Sequence, residues 1–325
     1  NRMIKTRAET QFVKHSKRYA SSASVASSNR ASMCSPRRYR VRKRASCRIG
    51  KYVTSTAPAH WRKTVPDSDS LLDSLLVDTT EGVATVILNR PDAYNAIDED
   101  MLDRLPVILG ELAADPAVRC VAITGTGDRA FCAGGDISSL GDAEVPDTDA
   151  LIDRLESWAQ ASVLLHEMPK PTVAIVNGTA AGAGMSLALA CDLRIASDTA
   201  RFITAFVKLS MSGDFGGSYF LTRLVGPSKA RELYYLGRTV KSEEALALGL
   251  VNFVEPAAKL AGAAHAITSQ LAAIPRTTIR NMKKNLNAAE NQSIADVVRL
   301  EAKSMIETAM SDETRAAAKA FFDKK

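Results

Sequence analysis

Two glycine-rich segments hold the residues whose types and spacing could do chemistry. The first is Ala130–Ile137, with adjacent glycines at 134 and 135, and the second is Asn177–Ser186, with three glycines. Each follows a predicted strand, and the second opens a predicted helix, whose first N–H groups lack partners within the helix. Glycine lets the backbone turn sharply and approach a ligand. One N–H from each segment could therefore bind the same oxygen, as an oxyanion hole binds an enolate or a tetrahedral intermediate.

Two other interpretations of these segments stay open. Glycine-rich turns between strands and helices are common in α/β proteins, so each segment could serve only as a tight turn. The spacing of Gly178, Gly182 and Gly184 could also indicate a dinucleotide site, although a single match of this kind is weakly specific. The predicted helix at Met185–Cys191 is short for the crossover helix of such a site. The pattern therefore favours the oxyanion hole.

The elements that position these segments alternate between strands and helices. Apolar and β-branched runs predict four strands, at Val83–Leu88, Cys120–Thr124, Thr172–Val176 and Leu193–Ala196. Helical spacing predicts a helix capped by Asp98 and ending near Ala114, and another over Asp149–His166. Such repeats indicate an α/β fold with a mostly parallel sheet that is covered on both faces.

From Lys229 onwards the pattern is helical. It predicts helices at Ala230–Leu236, Ser242–Leu248, Ala257–Ala273, Arg276–Ala288 and Ile294–Met310. The body contains no linker-like stretch, so we expect this helical part to belong to the same domain as the strands.

The charge of the chain is unevenly distributed. Of 325 residues, 46% are hydrophobic and 24% charged, which is typical of a globular enzyme, and the formal net charge is +6. Residues 1–66 contain 17 of the 42 lysines and arginines but a single acid, Glu9, so the remaining chain is net acidic. The basic balance therefore belongs to the first 66 residues and does not indicate that the folded part binds nucleic acid.

Residues 1–66 are predicted to be a disordered basic tail, because they are rich in serine and arginine and poor in apolar residues. The composition matches an organelle transit peptide. The tail could also be a nucleic-acid-binding arm, with 37–44 as its densest patch, or a stretch without function, which we favour. The nucleic-acid-binding arm is the least favoured of the three interpretations, because no aromatic residues alternate with the basic ones. We expect a cytoplasmic protein, or one of the mitochondrial matrix if the tail is a transit peptide.

The cysteines and the apolar runs exclude several further classes. The five cysteines are widely spaced and form no CxxC pair, so neither a disulfide scaffold nor a zinc site is predicted. The longest apolar stretches are far too short for a membrane span. We therefore expect no metal and no membrane partner.

Several short motifs occur in one order between residues 75 and 325. They are Leu88-Asn89-Arg90-Pro91, Asn95-Ala96, Ala130–Ile137, Pro171-Thr172-Val173-Ala174, Asn177-Gly178, Cys191-Asp192, Gly216-Gly217, Leu224-Val225-Gly226 and Ala247–Asn252. In this order they resemble the enoyl-CoA hydratase/isomerase family, also called the crotonase family. The resemblance implies an α/β fold: a crotonase-like ββα spiral over 67–255, with a helical C-terminal oligomerisation region of the same domain over 256–325. It also implies homotrimers or hexamers, an acyl-CoA thioester as substrate, and no metal or redox cofactor.

The resemblance also implies roles for individual residues. The N–H donors of the oxyanion hole would be Gly135 and Ala183, where the second family position is usually glycine. The residues that match the coenzyme A-binding loops and the C-terminal nucleotide contacts are Ala93, Tyr94, Ala133, Asp136, Ile137, Phe321 and Lys324. Lys324 could pair with a phosphate, although a solvated lysine at a chain end is the plainer interpretation.

Two positions depart from the pattern of the family's hydratases. Those enzymes place one glutamate at the position of Ser186 and another at the position of Phe206, and they use the pair to split water across a double bond. Serine without a partner is a poor general base, and phenylalanine has no proton to transfer. We therefore expect poor hydration, with Ser186 and Phe206 shaping the acyl pocket.

Asp214 supplies a different carboxylate. It aligns with an aspartate that serves as a base in dienoyl-CoA isomerases of the family and as a nucleophile in its dehalogenases. Taken by itself, Asp214 could equally cap a predicted helix at Phe215–Leu224. The neighbouring side chains of Phe206, Met211 and Phe215 are expected to form an apolar pocket that raises its pKa.

These residues lead to three hypotheses. The favoured one is an acyl-CoA double-bond isomerase that holds an enolate in the oxyanion hole and uses Asp214 as acid and base. The second is an enoyl-CoA hydratase of low activity, with water positioned by Ser186 and Asp214. The third is a non-catalytic protein that binds acyl-CoA or, through its tail, RNA.

Overall fold

The computed structural model describes residues 73–137 and 147–323, which form two β-sheets and a set of helices. The strands are β1 (Leu75–Thr80), β2 (Val83–Leu88), β3 (Cys120–Gly125), β4 (Ala130–Cys132), β5 (Thr172–Val176), β6 (Thr179–Ala181), β7 (Leu193–Ser197), β8 (Arg201–Ile203), β9 (Val240–Lys241) and β10 (Phe253–Glu255). The helices are α1 (Glu99–Ala114), α2 (Thr148–Glu167), α3 (Ala183–Ala190), α4 (Gly217–Leu236), α5 (Ser242–Ala247), α6 (Ala257–Ala273), α7 (Arg276–Ala289), α8 (Ile294–Ala309) and α9 (Asp312–Phe322). Short 3-10 turns lie at Pro91–Ala93 and Phe206–Leu209.

The strands are divided between a large and a small sheet. The large sheet has the order β1-β2-β3-β5-β7-β10, and the small sheet has the order β4-β6-β8-β9. All neighbours are parallel except β1 with β2 and β8 with β9. The chain therefore passes repeatedly from a strand of the large sheet to a short strand of the small sheet and then into a helix, as in β3-β4-α2 and β5-β6-α3. This repeat is the predicted ββα spiral.

Alternate residues of the central strands face two separate cores. Val121 and Ile123 of β3 pack into the main core with the inner helices, whereas Cys120 and Ala122 face a smaller cluster that includes Leu260 of α6. The alternation follows from the two-residue period of a strand. Because both faces are covered, β5 is buried along its whole length.

Most elements predicted from the sequence are confirmed, with bounds that differ by at most one residue for the four strands. The Asp98 cap is also present, and its carboxylate accepts a hydrogen bond from Met101 N at 2.9 Å. The predicted helices at Phe215–Leu224 and Ala230–Leu236 are both parts of α4, which kinks at Gly226, where φ is +77°. The sequence did not predict β1, α9 or the small sheet, whose strands of two or three residues are too short to show a period.

Other predictions fall partly outside the described residues. The tail of residues 1–66 lies outside them and stays a prediction. None of the described helices combines the length and apolar character of a membrane span. In residues 73–137 and 147–323, no three His, Cys, Asp or Glu side chains cluster as metal ligands would.

Candidate active site

The first glycine segment forms a turn that is fixed on both sides of Gly135. Gly134 has φ +104°, and a Cβ at that position would lie 3.1 Å from Ala181 O, so the turn requires glycine. Ile97 N donates to Gly134 O at 2.8 Å, and Asp136 N donates to Ile97 O at 2.8 Å. In this parallel bridge between Ile97 and Gly135, the N–H of Gly135 points away from Ile97. Among the described residues, the N–H of Gly135 has no acceptor.

The second glycine segment places Ala183 at the first position of α3. Gly182 is the N-cap, with φ 52° and ψ −127°, and no side chain caps the helix. Ala183 itself is helical, so its Cβ fits and the alanine keeps the N–H that the family usually takes from glycine. Its N–H also has no acceptor within the part of the chain that the structure describes. A helix N-terminus with unpaired donors attracts negative charge.

The two turns are in contact. The position that a Cβ on Gly134 would take lies 3.7 Å from Ala183 N. Two unpaired peptide donors, from the loop after β4 and from the start of α3, therefore lie in adjacent turns. This arrangement is suited to hold one oxygen that gains negative charge.

The loops expected to bind coenzyme A are linked to the same turn. Ala133 N donates to Tyr94 O at 3.1 Å, and the Tyr94 ring lies under the Arg129 guanidinium at 4.7 Å. Tyr94 is 51% exposed and Ile137 48% exposed. The structure thus brings the predicted residues of 93–94 and 133–137 together at an accessible surface. Their proposed contacts with coenzyme A stay predictions.

Arg90 and Asn95 organise these loops. Arg90 forms ion pairs with Asp98 at 3.1 Å and with Asp136 at 2.9 Å. The buried amide of Asn95 donates to Thr126 O at 3.0 Å and to Ala130 O at 2.8 Å. Neither residue was predicted to have a role, although both stand in motifs that the chain shares with the family.

Ser186 and Phe206 line a narrow crevice beside the second turn. Ser186 Oγ donates to Gly182 O at 3.3 Å, and two ring atoms of Phe206 lie 3.8 Å from where a Cβ on Gly182 would be. The crevice has no room for a water molecule. Its other lining residues are Met185, Leu189, Thr204, Gly217, Leu221 and Tyr234. Neither side chain is an acid, so the two positions lack the general acid and base that the paired acids of a hydratase supply.

Asp214 lies in the loop that precedes α4, next to Phe206. A Cβ on the adjacent Gly213 would lie 3.4 Å from Phe206 Cδ2. The Oδ1 atom of Asp214 is buried and has no hydrogen-bond partner in residues 73–137 and 147–323. Burial raises the pKa of this carboxyl from 3.8 to about 6. An acid with such a pKa can both accept and donate a proton near neutral pH.

Two expectations about Asp214 are corrected. It does not cap a helix at Phe215, because α4 begins at Gly217 and its N-cap, Gly216, has a left-handed conformation without a side-chain cap. Phe206 and Phe215 are buried, as expected of an apolar pocket, but Met211 is 42% exposed. Met211 belongs to the stretch 207–213, which is exposed throughout, so its side chain does not line the pocket.

Tyr234 belongs to this group of residues and was missed by the sequence analysis. Its ring stacks on Phe206, with centroids 6.2 Å apart and planes 8° apart. Its hydroxyl and the Ser186 hydroxyl both lie against Gly217, where any Cβ would overlap them. Tyr234 stands 20 residues after Asp214 and inside a helix, so no local motif marks it.

The C-terminal residues predicted to contact the nucleotide and two further reactive side chains, Cys132 and His166, add nothing to this site. Phe321 is exposed on α9 and packs edge-to-face on Phe322, and Lys324 lies outside the described residues. The thiol of Cys132 lies beside Gly134, but burial raises its pKa to about 12, so it stays protonated. His166 packs between Tyr219 and Phe220.

Comparison with known proteins identifies the family. The family model for enoyl-CoA hydratase/isomerase matches residues 78–325. A short-chain-enoyl-CoA hydratase of Clostridium acetobutylicum is 32% identical over 256 residues, which are 78% of this chain and 96% of that protein. A 1,2-epoxyphenylacetyl-CoA isomerase of Escherichia coli is 33% identical over 234 residues, which are 71% of this chain and 88% of that protein.

Solved structures show the same fold. An enoyl-CoA hydratase of Bacillus anthracis has a TM-score of 0.73 at 28% identity, covering 78% of this chain and 97% of that one. A Thermobifida fusca protein, provisionally assigned as an enoyl-CoA hydratase and solved in complex with CoA, has a TM-score of 0.69 at 32% identity, covering 78% of this chain and 98% of that one. The chain therefore has the crotonase fold and belongs to the enoyl-CoA hydratase/isomerase family of enzymes.

Proposed function

We propose that this enzyme moves a carbon–carbon double bond in an acyl-CoA thioester, converting a 3-enoyl into a 2-enoyl group. The observation that carries the proposal is the partly buried carboxyl of Asp214, with its raised pKa, together with the absence of an acid at Ser186 and at Phe206. One acid that takes up and returns a proton suffices for isomerisation. Hydration needs a second group to activate water.

The reaction begins with the thioester carbonyl between the N–H groups of Gly135 and Ala183. The carboxylate of Asp214 removes a proton from C2, and the electron pair of that C–H bond moves towards the thioester oxygen to form a dienolate. The neutral Asp214 then returns the proton to C4, and the electrons move back to form the C2–C3 double bond. Each N–H donor contributes about 3 kcal/mol to stabilising the dienolate.

Replacing Asp214 by asparagine tests this proposal, because asparagine keeps the size of the side chain but cannot accept the proton. We expect Asp214→Asn to lower kcat for a 3-enoyl-CoA by at least about 100-fold. Asp153→Asn is the matched control, since Asp153 is exposed on α2 and its side chain makes no hydrogen bond to a described residue. Isomerisation by Asp214→Asn at the wild-type rate would remove Asp214 from the mechanism.

A slow hydratase is the second candidate, and the names of several relatives favour it. In that case Ser186 and Asp214 would position the water molecule. Turnover of 2-enoyl and 3-enoyl thioesters by the same preparation separates the two functions. An isomerase consumes the 3-enoyl compound without forming a 3-hydroxyacyl product, whereas a hydratase forms that product from the 2-enoyl compound.

A non-catalytic protein that binds acyl-CoA or RNA is the third candidate. The RNA-binding alternative depends on residues 1–66. The non-catalytic candidate would be supported if the full-length protein binds acyl-CoA or RNA but turns over neither thioester. Turnover that exceeds the rate without enzyme would exclude it.

We also propose that the chain forms homotrimers or hexamers. Large apolar side chains are exposed on α7 to α9, among them Leu286, Ile294, Met305 and Phe322, each at least 66% exposed. Apolar side chains at this density are typical of a surface that is covered in an assembly. Sedimentation equilibrium at micromolar concentration tests this proposal, and a monomer would contradict it.

A further inference from the structure

The ring of Tyr234 is enclosed by the loop that carries Asp214. A Cβ on Gly213 would lie 3.0 Å from Tyr234 Cε1, and a Cβ on Gly217 would lie 2.6 Å from the Tyr234 hydroxyl. The loop closes on itself, because Gly217 N donates to Asp214 O at 3.0 Å. Glycines on both sides of Asp214 thus leave room for the phenol, so the ring fixes the loop from α4.

The carboxyl of Asp214 faces no other partner in the described residues. No lysine, arginine or histidine contributes to its pKa, and its Oδ1 accepts no hydrogen bond. Burial raises the pKa of the Tyr234 phenol to about 12, and the charge of Asp214 contributes to this rise. The Tyr234 hydroxyl also has no hydrogen-bond partner among the described residues.

We infer that Tyr234 is the positioning residue for Asp214: its ring holds the loop 213–217, and its hydroxyl donates a hydrogen bond to the Asp214 carboxylate when that group ionises. A buried carboxylate oxygen without a donor is costly, and the phenol of Tyr234 is a donor that packs against Gly213 and Gly217 on the two sides of Asp214. Tyr234 itself stays protonated, because its own pKa is raised. The inference deepens the proposed isomerase and rests on it for the role of Asp214.

The pH profile of the reaction tests this inference. Tyr234→Phe keeps the ring and removes the hydroxyl, so the carboxylate loses its donor and Asp214 ionises only at higher pH. We expect kcat/KM for a 3-enoyl-CoA to fall about fivefold at pH 6 and by less than twofold at pH 9, because the acidic limb of the pH profile moves about one pH unit upward. Tyr235→Phe, at a neighbouring position that is 70% exposed, is the matched control and should keep the wild-type profile.

A second measurement does not depend on turnover. The difference in melting temperature between the wild type and Asp214→Asn, followed from pH 4 to pH 8, reports the pH at which Asp214 ionises in the folded protein. The same difference measured in the Tyr234→Phe background should have its midpoint about one pH unit higher.

The outcomes keep the two proposals apart. Loss of all wild-type turnover would overturn the isomerase, whereas the melting titration would still test Tyr234. An unchanged midpoint in the Tyr234→Phe background would overturn the role of Tyr234 even if the isomerase is active. The role of Tyr234 would also be overturned by a uniform loss of activity at every pH, with no change in the midpoint of the acidic limb or of the melting titration. That is the effect expected of a purely structural residue.

Discussion

The rings of Phe206 and Tyr234 lie parallel, with an interplanar angle of 8° and centroids 6.2 Å apart. This stack forms one wall of the crevice beside the second glycine segment, and Ser186 lies in the same crevice. The two positions at which the family's hydratases place acids are therefore packed against aromatic and aliphatic groups. The lone carboxyl of Asp214 lies next to this apolar wall, and burial accounts for its raised pKa.

Removing the aromatic wall is expected to destabilise the protein. Phe206 is 7% exposed, and Phe206→Ala would leave a cavity next to Tyr234 and Gly182. We expect the free energy of unfolding to fall by about 3–5 kcal/mol, measured by chemical denaturation at a fixed protein concentration. Phe206→Leu should lose less than half of that. Equal losses for the two variants would mean that the cavity is not the cause.

Gly217 is expected to tolerate no larger residue. The Cβ of Gly217→Ala would overlap Ser186 Oγ and the Tyr234 hydroxyl, which should lower the free energy of unfolding by about 1–3 kcal/mol. Ser186→Ala removes one of the two overlapping oxygens, so the double variant should regain part of the loss. Strictly additive losses in denaturation experiments would contradict this packing.

The oxyanion donors can be tested at Gly135 without changing a side-chain function. A Cβ at this position meets no atom within 4 Å, so Gly135→Ala should keep most activity. Gly135→Pro removes the N–H and should lower kcat by about 100- to 1,000-fold, measured in single turnover. Circular dichroism of both variants checks that they fold. A fully active proline variant would mean that this N–H does not bind the substrate oxygen.

The stability of the protein should depend on Asp214 in a defined pH range. Its pKa is 3.8 when exposed and about 6 in the folded protein, so the folded state binds the proton more tightly. The free energy of unfolding therefore falls as pH rises from about 4 to about 6 and is constant above that range. Asp214→Asn should be more stable than the wild type by up to about 3 kcal/mol at pH 8, and by almost nothing at pH 4. A constant difference across this range would contradict the raised pKa.

Much of the fold could be predicted because the signals are local. The strands Val83–Leu88 and Thr172–Val176 are runs of apolar, mostly β-branched residues, and their bounds match those of β2 and β5. The small sheet could not be predicted, because β4, β6 and β8 have three residues each and are stabilised by pairing with one another. Helix α9 was also missed; all of its residues are exposed, so it has no face buried against the rest of the described chain.

The amino-acid sequence by itself determined the family and the two glycine turns, because a peptide N–H is a donor whatever the side chain and glycine marks the turns that expose it. Only the tertiary structure decided what Asp214 can do. Its pKa depends on burial, and the Tyr234 ring, which packs against Gly213 and Gly217 around it, comes from the far end of a 20-residue helix. Desolvation and through-space contacts arise when separate elements pack together, so neither can be deduced from the order of the residues.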